Sequence, residues 1–145
     1  MARPLPDLVL FIDECLGSVD VPNALRAAGH RVELLHAHFA PGTPDATWLA
    51  DVGRRGWVVL TSDQRIRRRH AEMQALIAAN VVAFVLTSGN LTGGAAGEAF
   101  VKAYQRMRKL VRDRLPPFVA SVTASGAVTL LTNAERRSAK KKDSR

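Results

Sequence analysis

The sequence predicts a three-layer α/β/α domain with a mainly parallel central sheet, closed by a C-terminal hairpin. Apolar runs of strand length alternate with helical patterns through four strands, and this order is typical of parallel sheets whose strands are joined by helices. The strand candidates are almost continuously apolar, as expected for strands that helices bury on both faces. The 145 residues are enough for one such domain with a hydrophobic core.

Two strands flank the first predicted helix. The apolar run 8–13 is the first strand candidate, and residues 31–35 are the second. Residues 21–29 fit a short helix, because Gly29 is the residue type favoured just past a helix C-terminus. Residues 36–44 are rich in Pro and Gly and are therefore expected to form a loop.

A start signal marks the next helix. Thr43 suits the N-cap, Pro44 suits the first helical position, and Asp45 suits the positively polarised first turn. We expect this helix to end near residues 53–56. The third strand, over residues 57–63, follows at once.

The second half of the chain continues the alternation and then changes to a hairpin. Pro116 and Pro117 end the last predicted helix. Ser125 and Gly126 suit the turn of the hairpin. The predicted elements are a helix over 64–79, a strand over 81–86, a loop over 87–94, a helix over 98–115 and a hairpin over 118–132.

The composition is that of a soluble globular protein, with 47% hydrophobic and 23% charged residues. No apolar run approaches the roughly 20 residues needed to cross a bilayer. The N-terminal residues lack the organisation of a signal peptide. We therefore expect a cytoplasmic protein without a membrane partner. The single cysteine, Cys15, excludes an intramolecular disulfide and a multi-cysteine zinc site.

The formal net charge of +8 favours an anionic partner, with nucleic acid as the first expectation. Part of the excess lies in residues 133–145, a basic segment without bulky apolar residues. We expect this segment to be a disordered tail. The predicted domain therefore covers residues 1–132, and it remains basic without the tail.

Three acidic residues are predicted to meet at the carboxyl edge of the sheet. Asp13 ends the first strand, Asp63 ends the third, and Asp45 opens the helix between the second and third strands. Open parallel sheets place their sites at this edge. Convergent carboxylates repel one another and bind a proton or a cation, and Mg²⁺ or Mn²⁺ takes one or two carboxylates with waters. The pattern indicates a metal site able to hydrolyse phosphodiesters.

Each acid also has a simpler explanation. Asp45 fits the first turn of a helix, and Asp63 fits the cap of the helix that follows it. Asp13 is harder to explain this way, because a charge just past a buried strand needs a partner or a role. Glu14 is a surface residue if the strand persists, and a fourth acid of the site if the chain turns sharply after Asp13.

Four arginines begin the helix that follows Asp63: Arg65, Arg67, Arg68 and Arg69. Cations at a helix N-terminus oppose the helix dipole. These side chains either form a solvated face or bind the phosphates of RNA beside the acidic site, since guanidinium groups bind phosphate in a bidentate manner.

Three segments carry a resemblance to a known family. "FIDECLG", "ALRAAGHRVELL" and "TPDATWLADVGRRGWVVLTSD" resemble the PIN-like domains related to the VapC toxins of prokaryotic toxin–antitoxin systems. The resemblance is close over residues 7–90 and looser to about residue 131. Its most specific parts are the first strand, which ends in Asp, and the Thr-Ser-Asp end of the third strand.

The resemblance implies a metal-dependent endoribonuclease that uses Mg²⁺ or Mn²⁺. By matching motif, Asp13, Asp45 and Asp63 take the metal-site positions. Thr61 or Ser62 would orient Asp63 or a water. PIN nucleases commonly show four acids, and Glu14 is the nearest candidate for the fourth. The family also implies a cognate antitoxin that covers the site, and dimerisation is common in it.

Two other functions fit parts of the pattern. A catalytically weak module that binds RNA or protein would keep the fold and the basic surface without hydrolysis. A phospho-receiver domain would also place acids after the first and third strands, but it requires a lysine after the fifth strand. Residues Ala124, Ser125 and Gly126 stand at that position.

Overall fold

A computed structural model describes residues 4–88 and 90–132. The predicted tail, residues 133–145, lies outside the described residues.

The described residues form one six-stranded sheet in the order β2-β1-β3-β4-β5-β6. The first five strands run parallel and β6 is antiparallel to β5. The predicted α/β class, with its mainly parallel sheet and C-terminal hairpin, is therefore confirmed. The strands are β1 Val9–Ile12, β2 Arg31–Leu34, β3 Val58–Thr61, β4 Val82–Leu86, β5 Phe118–Val122 and β6 Val128–Thr132.

Helices connect the parallel strands. A single turn of 3-10 helix, Glu14–Leu16, follows β1 directly. The α-helices are α1 Asp20–Ala27, α2 Leu35–His38, α3 Asp45–Arg55, α4 Arg65–Arg68, α5 His70–Ala78 and α6 Gly93–Asp113.

Each central strand is buried on both faces, so alternate residues enter two separate hydrophobic clusters. Ile12, Leu60 and Phe84 pack in a cluster that includes residues of α1 and α6. Phe11 and Val59 pack in a second cluster with residues of α3 and α5 on the opposite face. This alternation explains why the strands are apolar at nearly every position.

The structure differs from the predicted elements around the third helix. The segment predicted as a loop over 36–44 contains the single turn α2, Leu35–His38. Pro44 is the N-cap of α3 instead of its first helical residue, because its ψ of 143° is extended. The Thr43 hydroxyl donates to the Ala40 carbonyl at 2.6 Å instead of capping the helix.

The prediction of one continuous helix over residues 64–79 is also wrong, because the structure has two helices there. The predicted helix is interrupted at Arg69, whose φ of −114° and ψ of 120° are extended, so α4 is a single turn separate from α5.

The last helix, α6, begins earlier than predicted, at Gly93. The Thr92 hydroxyl caps it by accepting the Ala95 N–H at 3.1 Å, which satisfies a backbone group that would otherwise lack a partner.

Close packing of α1 against α6 depends on a glycine. A Cβ on Gly97 would lie 2.8 Å from the Cβ of Ala24 and 3.3 Å from the carbonyl oxygen of Asp20, both on α1. A Cβ on Gly94, in the same helix, would meet nothing within 4 Å. Alanine substitutions at these two positions therefore distinguish an effect on packing from an effect on helix propensity.

We expect Gly97→Ala to lower the free energy of unfolding by about 1–3 kcal/mol, because overpacking pushes α1 and α6 apart. Gly94→Ala, the control, is expected to raise it by about 0.4–1 kcal/mol, since it restricts the unfolded chain without a clash. Urea unfolding measures both. Equal effects of the two substitutions would contradict the assigned α1–α6 contact.

Candidate active site

Thr61 lies at the centre of the hydrogen bonds at the carboxyl edge of the sheet. It is the last residue of β3 and is 1% exposed. Its hydroxyl donates to Asp13 Oδ2 at 2.9 Å and accepts the backbone N–H of Asp63 at 3.1 Å. The parallel pairing of Ile12 with Leu60 brings the next residues, Asp13 and Thr61, together. Thr61 thus joins two of the predicted site acids.

The Asp13 carboxyl is partly buried, and burial is the largest cause of its raised pKa. Hydrogen bonds from Thr61 and Cys15 favour the ionised form, while the negative charge of Asp45 adds to the increase. Among the described residues, no cationic side chain forms an ion pair with Asp13. Its ionised form is therefore held by neutral donors alone.

The Cys15 sulfur belongs to the same group of contacts, although the residue as a whole is exposed. Its Sγ accepts the Ser62 backbone N–H at 3.2 Å and lies 3.2 Å from the Thr61 hydroxyl. Burial of the sulfur, and then the charge of Asp13, raise the pKa of the thiol. Cys15 thus forms a hydrogen-bonding contact between the 3-10 turn and the end of β3.

Asp63 lies in a different environment from Asp13. Both of its oxygens accept hydrogen bonds from the Arg65 guanidinium, at 2.7–3.1 Å. Its Oδ1 also accepts the backbone N–H of Arg65, the first residue of α4, at 3.0 Å. The guanidinium of Arg65 is the main cause of the lowered pKa of the Asp63 carboxyl. Asp63 therefore already has a cationic partner. The helix cap expected at Asp63 is not found, because the N-cap of α4 is Gln64, which makes no side-chain capping hydrogen bond.

Asp45 and Glu14 line one cavity of about 390 Å³ beside Asp13. Asp45 is the first residue of α3 and its Oδ1 accepts the Trp48 indole N–H at 3.1 Å. Glu14 opens the 3-10 turn directly after Asp13. The chain thus turns sharply after Asp13, which is the condition under which Glu14 was expected to contribute to the site.

The remaining predicted residues surround this edge. Arg67 donates to the Gln64 side chain at 3.0 Å, whereas Arg68 and Arg69 are exposed. Ser62 contacts the Cys15 sulfur through its backbone N–H, and its side chain also favours the ionised form of that thiol.

Sequence reasoning missed the role of Gln64 at this edge. Its side-chain amide donates to the carbonyls of Leu86 and Ser62, at 2.8 and 3.1 Å, and joins the ends of β3 and β4. A polar amide has no periodic signal that would have shown this role in the sequence.

The family resemblance implies a divalent ion, and the donors present fit it in part. Within residues 4–88 and 90–132, no three His, Cys, Asp or Glu side chains are grouped closely enough to hold a metal. Mg²⁺ needs only one or two carboxylates when waters complete its shell. Asp13 and Asp45 are the two carboxylates that fit this number, because the charge of Asp45 acts on Asp13 and a cation would relieve the repulsion. Asp63 is occupied by Arg65.

Comparison with known proteins agrees with the arrangement of the fold. The model of the family described as "PIN like domain" matches residues 8–88. A curated relative from Mycobacterium tuberculosis, the provisionally named ribonuclease VapC45, is 26% identical over 127 residues, which cover 84% of this chain and 91% of the relative. No solved structure gives a significant match. No helix in the described part of the chain is long and apolar enough to span a membrane.

The contrasting environments of Asp13 and Asp63 predict opposite effects of neutralisation on stability. Because the folded-state pKa of Asp13 is raised, ionising it costs stability as the pH rises above the unfolded value. We therefore expect Asp13→Asn, in buffer with a chelator, to raise the Tm by a few degrees at pH 7. This gain should vanish on acidification below the unfolded pKa.

Asp63→Asn is the matched comparison. Since Arg65 lowers the pKa of Asp63, its ionised form stabilises the fold above the unfolded pKa, and this contribution disappears as the pH falls through the folded value. We expect a lower Tm at pH 7 and a smaller difference from the wild type at low pH. Thermal melts across pH 3–8 measure both variants, and shifts of the same sign would contradict the assigned environments.

Proposed function

Because the chain belongs to the PIN-like domain family, we propose that it is a metal-dependent endoribonuclease and the toxin of a prokaryotic toxin–antitoxin pair. The name of its mycobacterial relative supports this proposal. The observation that carries it is Asp13, a partly buried carboxylate without a cationic partner among the described residues, with Asp45 as a second carboxylate close by.

Asp13 and Asp45 would hold Mg²⁺ or Mn²⁺ at the carboxyl edge of the sheet. Bound there, the ion would lower the pKa of a water molecule and neutralise charge on the phosphate. The Thr61 hydroxyl holds Asp13 Oδ2 in place, and the Trp48 indole N–H holds Asp45 Oδ1. Both carboxylates are thus oriented by neutral donors, which leave their charge available for a cation.

The arginines that follow β3 would bind the RNA backbone. Arg68 and Arg69 are exposed, and Arg65 interacts electrostatically with both Asp63 and Asp45. Phosphate oxygens compete well for guanidinium groups. An RNA phosphate that drew Arg65 away would leave the Asp63 carboxylate free to join Asp13 and Asp45. We include Asp63 in the proposed site on this basis. Glu14, the acid that follows Asp13, lines the cavity beside this site.

We also propose the setting in which the protein acts. It would be a cytoplasmic toxin covered by a cognate antitoxin protein, and it would be able to pair with a second copy of itself as a homodimer.

One observation favours a second function. The described residues contain no close group of three potential metal ligands, and Arg65 neutralises Asp63. A catalytically weak PIN-fold module that binds RNA or protein is compatible with both of these features as they stand. The two functions differ in whether divalent metal and the Asp13 carboxylate are required for RNA cleavage.

We expect the purified protein to cleave RNA with Mn²⁺ or Mg²⁺ and to lose this activity with EDTA. Asp13→Asn should lower the cleavage rate at least about 100-fold, because even groups that only orient metal ligands contribute roughly 10–100-fold. Asp51→Asn is the matched control, since Asp51 pairs with Arg54 and Arg55 on the surface of α3. Intact RNA with every metal and substrate tried would favour the weak binding module instead.

Binding to the RNA backbone should depend on salt through the exposed arginines. Replacing Arg68 and Arg69 by Gln is expected to reduce the slope of log affinity against log salt by about 1.4, because each single-stranded phosphate contact contributes about 0.7. Replacing Lys102 and Lys109 by Gln removes the same charge from α6 and should change the slope little. Fluorescence anisotropy measures both; equal slopes for the two variants would assign Arg68 and Arg69 to a solvated face.

A further inference from the structure

The cavity beside the proposed site has the character of a small-ligand pocket. Its volume of about 390 Å³ lies in the range typical of such pockets, which combine apolar walls with a few polar groups. Ile12, Leu34, Phe39 and Pro44 contribute apolar wall, and Glu14 and Asp45 contribute carboxylates. The cavity lies between the 3-10 turn after β1 and the segment that joins β2 to α3.

The two carboxylates of this cavity differ in what they already bind. Asp45 accepts the Trp48 indole N–H, whereas no described residue forms an ion pair or a side-chain hydrogen bond with the Glu14 carboxylate. Glu14 is exposed at the cavity. Its two oxygens accept hydrogen bonds and cannot donate them while ionised. Of the two carboxylates, Glu14 is therefore the open one, and it offers a pair of acceptors; Ser18 and His36 also line the cavity.

We propose that this cavity binds an RNA base next to the scissile phosphate and that Glu14 selects guanine; this inference rests on the proposed ribonuclease function. Guanine presents two adjacent donors, N1–H and the N2 amino group, which match the two oxygens of one carboxylate. Adenine and cytosine place an acceptor beside their amino donor. Uracil flanks its one N–H with two carbonyl acceptors, which a carboxylate repels.

Charge around the cavity agrees with a nucleotide as the occupant. Arg65 lies close enough to Asp45 for their charges to interact, so one arginine of the segment 65–69 is near the acidic side of the cavity. Single-stranded RNA is commonly recognised by unstacked bases that enter pockets with aromatic walls, while cations hold the phosphates. Phe39 supplies an aromatic ring in this wall.

The first experiment needs neither metal nor cleavage. Guanosine 3′-monophosphate and uridine 3′-monophosphate are titrated into the protein in EDTA, and calorimetry measures the affinity of each. In a parallel NMR titration, the Trp48 indole N–H resonance reports on the cavity, because this group donates a hydrogen bond to Asp45. We expect guanosine 3′-monophosphate to bind at least about tenfold more tightly and to shift this resonance. Glu14→Gln should remove the preference, since an amide meets one guanine donor with a donor of its own. Glu98→Gln, an exposed acid on α6, should retain it.

The second experiment maps cleavage sites on an unstructured RNA. We expect guanine beside the cuts made by the wild type, and cuts without this bias by Glu14→Gln. Equal loss of all cleavage in Glu14→Gln, with an unchanged nucleotide preference, would overturn the proposal and make Glu14 a metal ligand. Absence of any nucleotide preference would overturn it in favour of a protein side chain as the occupant. Selective binding without cleavage would keep the base pocket and reject the ribonuclease function.

Discussion

The hydrogen bond between the Thr61 hydroxyl and the Asp13 carboxylate fixes the geometry of the whole carboxyl edge. It joins the ends of β1 and β3, two neighbouring strands, at the point where both chains leave the sheet. Because Thr61 also accepts the Asp63 N–H, the paths of both departing chains depend on one buried hydroxyl. The cavity, the 3-10 turn and the arginine segment take their positions from this contact.

Asp13 and Asp63 carry the same side chain at the same edge of the sheet, but their surroundings shift the pKa of the two carboxyls in opposite directions. Burial raises the pKa of Asp13, and a guanidinium lowers that of Asp63. The first carboxylate is kept at a cost to stability, which is the usual mark of a group retained for function. The second stabilises the fold in the ordinary way, through a hydrogen bond from the first backbone N–H of α4 and an ion pair that is partly open to solvent.

Features that depend on hydrophobic periodicity and on where strands end could be predicted from the sequence. Features that depend on which side chains pair with one another could not. The order of strands and helices and the Asp13 position followed from apolar runs that end in acids. The break at Arg69 and the pairing of Arg65 with Asp63 did not, because a choice between neighbouring side chains leaves no periodic trace. Glu14 depended on a backbone turn that the sequence allowed without requiring, and the contacts of Cys15 depend on the same turn.

The strand order β2-β1-β3-β4-β5-β6 bears on how this chain folds as it is synthesised. After β1 and β2 have paired, every later strand adds to an edge that already exists, and none has to insert between two others. Arg69, the last residue of the arginine segment, precedes the midpoint of the 145-residue chain, so all the acids and arginines of the edge emerge from the ribosome before β4. Because synthesis proceeds from the N-terminus, the residues with the acidic and guanidinium groups leave the ribosome first, and α6 and the hairpin follow.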